Sequence, residues 1–106
     1  MHAKICLIGS TKFENIFRQL ETELSKKGYI VLSPLVYTQS GLNPDCGMDC
    51  KKILDDVQMQ KVQISDIVLV IDENGYIGPS TKKQLNYAKL LKKVIFFYSK
   101  GGHKKL

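Results

Sequence analysis

Four short apolar runs alternate with three amphipathic stretches along the chain. The first run is Lys4–Gly9, Lys-Ile-Cys-Leu-Ile-Gly, which reads as a strand. Phe13, Ile16, Phe17, Leu20 and Leu24 then recur three, four, seven and eleven residues on from the first, so one face of a helix is apolar. Gly28 behind Lys26 and Lys27 is a helix stop. Residues 29–33 form a second strand, ended by Pro34. Residues 34–48 hold Pro34, Gly41, Pro44 and Gly47 without periodicity and read as a loop. Loops of that length inside a small domain tend to be functional or mobile. A second helix is expected over about 49–63, with Ile53, Leu54, Val57 and the aliphatic stem of Lys61 toward the sheet. Ile67–Ile71 is an unbroken apolar run, the pattern of a strand buried on both faces. A third helix, about 80–92, uses Leu85, Ala88 and Leu91, and 94–98 is the fourth strand. The polar, glycine-containing stretch 99–106 reads as a frayed basic tail behind a single domain over 1–98.

Strands that alternate with helices imply a parallel sheet with right-handed crossovers. The fold class is therefore α/β: a small Rossmann- or flavodoxin-like domain with helices on both faces. Its four-stranded parallel sheet takes the order 2-1-3-4. Strands one and three then flank the point where the connections change direction. Ligands of open α/β sheets bind there, beyond the carboxyl ends of the strands. Two loops meet at that crevice, Gly9-Ser10-Thr11-Lys12 and residues 72–79.

The 106 residues carry a net charge of +6, with lysine pairs spread from Lys26-Lys27 to Lys104-Lys105. Such a spread describes a solvated surface with some attraction for anions. It does not describe the aromatic-studded basic stripe of a nucleic-acid binder. No apolar run approaches the roughly 20 residues of a membrane span, and a cytoplasmic location is expected. The three cysteines, an odd number, suit a reducing compartment. Cys46 and Cys50, flanked by Asp45 and Asp49, lack the four-ligand spacing of a tight zinc site, and both histidines, His2 and His103, lie near the ends. No metal and no cofactor is called for.

In the crevice, Gly75 and Gly78 allow unusual backbone conformations, and Ser80 or Thr81 is a natural helix N-cap. Free N–H groups of the helix's first turn favour an anion, with Lys82 and Lys83 adding charge. A well-capped helix after a tight turn explains the same residues without any ligand. Ser10 and Thr11 carry the same two readings. Asp72 and Glu73 are placed to hold ribose hydroxyls or merely to be solvated. Tyr76 is placed to stack on a base or to cover the loop, and Tyr87 reads as packing.

Three segments carry a family resemblance: Ile-Cys-Leu-Ile-Gly-Ser at the start, Ser-Asp-Ile-Val-Leu-Val-Ile in the middle, and Gly75-Tyr-Ile-Gly-Pro-Ser-Thr-Lys-Lys-Gln84-Leu-Asn-Tyr-Ala. The first is generic; the last is specific. Together they resemble the nucleoside 2-deoxyribosyltransferase-like family. That resemblance implies a homodimer or higher homo-oligomer. It also implies a substrate with an N-glycosidic bond between base and (deoxy)ribose, cleaved by a glutamate in the helix's first turn. An oxocarbenium-like centre needs an anionic nucleophile beneath it, and this chain has Gln84 at that position. Cys6 stands where the family often has tyrosine, and Gly78 where it has an acidic residue. Asp55 or Asp56 matches its helix-borne aspartate, with the register left open. The expected function is binding of a nucleoside, nucleotide or ADP-ribose-like ligand, held by sequestration at a site that lost its nucleophile. Cys6, Gly9, Ser10, Thr11, Asp72, Tyr76, Gly78, Ser80 and Thr81 would touch that ligand. The alternative is an active N-glycosidase or deoxyribosyltransferase, with Gln84 an engineered exchange of glutamate.

Overall fold

The computed structural model describes residues 2–35 and 48–106. Most of the loop expected over 34–48 lies outside the described residues, as do the Asp45, Cys46, Asp49 and Cys50 side chains. The chain runs β1 (Lys4–Gly9), a 3-10 turn (Thr11–Phe13), α1 (Glu14–Lys26), β2 (Ile30–Leu32), α2 (Met48–Ile64), β3 (Ile67–Ile71), α3 (Pro79–Leu90) and β4 (Val94–Phe97). The strands form one parallel sheet in the order β2-β1-β3-β4, as the alternation of elements predicts.

Successive side chains of a strand point to opposite faces, and this sheet buries both. Ile5, Leu7, Leu69 and Ile71 meet Phe17, Leu20 and Leu24 of α1 on one face. Cys6, Ile8, Val68 and Val70 meet Val62 of α2 and Leu85 and Ala88 of α3 on the other. Each fully buried aliphatic or aromatic side chain contributes roughly 1.5–3 kcal/mol, so these two layers are the main source of stability. At the top of β1, a Cβ on Gly9 would lie 2.9 Å from both Ile71 Cβ and the Ile71 carbonyl oxygen. Only glycine lets β1, β3 and α1 converge there, directly below the crevice.

The structure differs from the sequence expectation in three places. Ile53 and Val57 of α2 do not face the sheet; they are 63% and 41% exposed, and Gln58 and Val62 are buried instead. Leu91 of the third helix is exposed, and Thr81 is buried with Leu85 and Ala88. The stretch 99–106 is not a frayed tail. Two 3-10 turns, Tyr98–Lys100 and Gly102–Lys105, fold it against the α1 face, where Tyr98 and Leu106 pack on the core. A Cβ on Gly102 would sit 2.7 Å from Phe96 Cβ and 2.8 Å from the Phe97 carbonyl oxygen. Lys27 Nζ donates to the Leu106 carbonyl at 2.9 Å. The segment covers sheet area on a side where only α1 stands, which is why a sequence too polar for a helix still docks.

Candidate functional site

A cavity of about 370 Å³ opens beyond the carboxyl ends of the strands, within the size range of small-molecule sites. It lies where the reversal of strand order puts it. The β1–α1 connection contributes Gly9, Ser10 and Thr11 to its wall. The β3–α3 connection contributes Tyr76 and Gly78, and the start of α3 contributes Pro79, Ser80, Thr81 and Gln84. Pro34 and Leu35 approach from the end of β2, and α2 supplies Leu54, Asp55, Val57, Gln58 and Lys61.

The local sequence explains these placements. Ser10 is extended, and its Oγ accepts from the Lys12 backbone N–H at 3.3 Å, which turns the chain into α1. After β3, Asn74 and Gly75 adopt left-handed conformations, with φ of 57° and 76°. This tight turn brings Tyr76 to the cavity mouth. Lys12 Nζ stands 3.4 Å from the centre of the Tyr76 ring, and Phe13 meets that ring edge-on at 6.2 Å. One face of Tyr76 is therefore already covered by a cation, an interaction worth about 0.5–1 kcal/mol at an exposed site.

The opening of α3 departs from expectation. Gly78, not Ser80 or Thr81, is the N-cap, and Pro79 takes the first helical position, where its missing N–H costs nothing. Ser80 and Thr81 thereby sit inside the first turn. With Pro79 as residue one, Gln84 is the sixth residue of the helix. The helix dipole acts chiefly within the first turn, so position 84 lies beyond its strongest influence.

The cavity thus gathers Gly9, Ser10, Thr11, Tyr76, Gly78, Ser80, Thr81, Gln84 and Asp55. Asp56 is exposed and outside the wall. Asp72 is buried behind the site. Its two carboxylate oxygens accept from Ser99 N at 2.8 Å and Ser99 Oγ at 2.7 Å, so it ties the β3 end to the docked terminal segment rather than facing a ligand. Cys6, expected to touch the ligand, does not: it is fully buried in the sheet and is not part of the cavity wall. Burial pushes its thiol up to about 12, against a smaller opposing pull from Lys61, and a thiol so protonated is no nucleophile.

Sequence reasoning missed Gln58. It is 7% exposed, lines the cavity, and its Nε2 lies 3.9 Å from Cys6 Sγ. Its position midway between Leu54 and Val62, four residues from each, is the signal that marks it as inward-facing. Lys61 lines the same wall and donates from Nζ to the Ser33 carbonyl at 2.9 Å. Asp55 is the only carboxylate on the cavity wall among the described residues. Among the described residues no three His, Cys, Asp or Glu side chains are grouped to hold a metal ion, and no helix is long and apolar enough to cross a membrane.

The wall is divided in character. Ser10, Thr11, Ser80, Thr81 and Gln84 make a hydroxyl- and amide-rich side. Pro34, Leu35, Leu54 and Val57 make a more apolar side, with Asp55, Gln58 and Lys61 of α2 among them. No protein-family model matches the chain, and no curated protein does. A solved structure of a 2-deoxyribosyltransferase from Bacillus psychrosaccharolyticus is similar, with a TM-score of 0.61 at 19% identity, over 90% of this chain and 71% of that one. At that identity the likeness is one of fold.

Proposed function

We propose that this protein binds a nucleoside or nucleotide-derived ligand in the cavity and does not cut its glycosidic bond. The divided wall carries the reading. A nucleoside joins a flat, largely apolar base to a polyhydroxyl sugar, and the two sides of the cavity suit the two halves. The similar 2-deoxyribosyltransferase structure supports the same substrate class for this crevice. The sugar lies against Ser80, Thr81 and Gln84, and the base against the α2 and β2 side.

The absence of cleavage follows from Gln84. An amide has the shape of a carboxylate without its charge, so it hydrogen-bonds a ribose hydroxyl but cannot form the glycosyl ester. Losing a nucleophile commonly lowers turnover by on the order of 10⁴–10⁶, while binding contacts persist. Such a protein acts by holding its ligand, as a sequestering cytoplasmic binder, and a homo-oligomer suits a domain of this size.

A second reading has one observation in its favour. Asp55 reaches the cavity wall, and a carboxylate there could stand in for the missing nucleophile in an N-glycosidase. One experiment separates the two. Calorimetry and chromatographic detection of free base are run on one panel of nucleosides, nucleotides and ADP-ribose, with the chain as it stands and with Gln84→Glu. Binding by both forms, and base release by the glutamate form alone, is the expected result. Base release by the unmodified chain would favour the Asp55 reading. No binding by either form would end the nucleoside reading.

A further inference from the structure

Besides Gln84, a second amide lines the cavity, that of Gln58. Gln58 is more than nine-tenths buried, yet its one hydrogen bond among the described residues is the 3.9 Å contact from Nε2 to Cys6 Sγ. Sulfur is a weak acceptor. The Cys6 thiol points its own donor at the Leu7 carbonyl, so the sulfur can only accept from the amide. A primary amide offers two donors and a two-lone-pair acceptor. Here the carbonyl Oε1 and one N–H have no partner among the described residues. Buried polar groups are normally satisfied, and an amide that lines a cavity with so few protein partners among the described residues has hydrogen-bonding capacity that a ligand in the cavity can take up.

The surroundings say which part of a ligand does so. Leu54 and Val57 flank Gln58 on α2, and Pro34 and Leu35 stand on the same side. Asp55 and Lys61 of the same helix also line this side. Among the described residues, however, Gln58 is the one buried polar side chain that α2 gives to the wall, and a buried amide beside apolar residues suits a planar heterocycle read along its edge. Gln84 is the other amide on the wall, but it shares the hydroxyl-rich side with Ser80 and Thr81 and belongs with the sugar.

Building on the nucleoside reading above, we propose that Gln58 makes this site selective for adenine. The geometry of a glutamine amide matches the N6 amino group and N7 of adenine as a two-bond pair. Oε1 accepts from N6–H, and the free N–H of Nε2 donates to N7. Guanine and hypoxanthine carry an oxygen at position 6, which would set an acceptor against Oε1. A site built to receive a donor rejects an analogue that lacks it, because its own buried group is left unpaired.

The test uses the full chain with adenosine, inosine and 7-deazaadenosine, each as nucleoside and 5′-monophosphate, titrated calorimetrically. Inosine replaces the N6 donor and 7-deazaadenosine removes the N7 acceptor, so both probe the edge without altering the protein. The expected result is binding at least about tenfold weaker for each analogue than for its adenosine counterpart. In Gln58→Met, whose fold is checked by thermal melting, the gap closes. Equal binding of all three by the unmodified chain overturns the assignment to Gln58 and leaves the nucleoside reading standing. A gap that persists in a folded Gln58→Met variant does the same. If none of the compounds binds, the nucleoside reading fails and the selectivity with it.

Discussion

Asp72 at the end of β3 and Gln58 in α2 are polar side chains buried to nearly the same degree, 5% and 7% exposed. Asp72 spends both carboxylate oxygens on Ser99, at 2.8 Å and 2.7 Å. Gln58 has, among the described residues, a single long contact to a sulfur and faces the cavity. The difference lies in where the hydrogen bonds go, not in burial or polarity. A buried group whose partners are all internal holds the fold together; one whose partners are missing is waiting for something from outside. In sequence the two residues suggest opposite roles, because Asp72 precedes a glycine-rich turn and Gln58 sits in mid-helix.

Stability measurements give the sharpest version of this contrast. Asp72→Ala removes both acceptors and strands the Ser99 N–H and hydroxyl in a half-buried position. The expected loss is about 2–3 kcal/mol, from the range for hydrogen bonds to charged groups and for groups left unsatisfied. In a domain of about this size that lowers the melting temperature by on the order of 10 °C. Gln58→Met exchanges an under-bonded amide for an apolar chain of similar volume, and its stability should change by less than about 1 kcal/mol. Thermal melts of the two variants beside the parent decide it. An Asp72 variant as stable as the parent would break the comparison, and so would a Gln58 variant that loses as much as Asp72→Ala.

The same contrast explains what the sequence made legible. Two strands, Lys4–Gly9 and Ile67–Ile71, fall where their unbroken apolar runs put them. The strand order follows from the alternation of elements, and the strand order locates the cavity. The face of α2 did not follow. Apolar residues at 53, 54, 57, 59, 62 and 64 fit more than one stripe on a helix, and only the sheet selects the stripe through Leu54, Gln58 and Val62. Gln58 was overlooked because a polar residue reads as surface until its neighbours four residues away are known to be inside. The terminal segment was misread for a similar reason. Its lysines and glycines suggest fraying, and its docking depends on contacts with Lys27 behind α1 and with Asp72 that are distant in sequence.

That terminal segment supplies a smaller, pH-dependent effect on the structural side of the comparison. The His103 ring stacks on Tyr98 at 4.3 Å between centroids, with Nδ1 buried and without a hydrogen-bond partner among the described residues. Burial pushes the imidazole below its ordinary 6.5; Lys104 and Lys27 push the same way, and Glu23 opposes them. A lowered value in the folded state means that the unfolded chain binds the proton more readily. Stability is therefore full above about 6.5 and declines as pH falls through the lower folded value. Denaturation midpoints between pH 7.5 and 5.5 should drop, and the drop should shrink in His103→Phe, which keeps the stacking. Identical profiles for the two proteins would remove His103 from the account.

The least visible effect tests the cavity floor itself. Cys6 is the partner of Gln58 among the described residues and is fully buried. Near pH 8, a thiol at about 12 rather than the ordinary 9.0 carries about a thousandth of the thiolate, and the thiolate is the reactive form. In the native protein Cys6 should stay unmodified by iodoacetamide on a timescale that labels it fully in denaturant, as read by peptide mass spectrometry. Adenine selectivity through Gln58 requires this result. If reagent reaches Cys6 readily, the floor beneath Gln58 is open and the amide is not held in place between Cys6 and the cavity. Rapid labelling in the folded chain would remove the physical ground for setting Gln58 apart from any other surface glutamine.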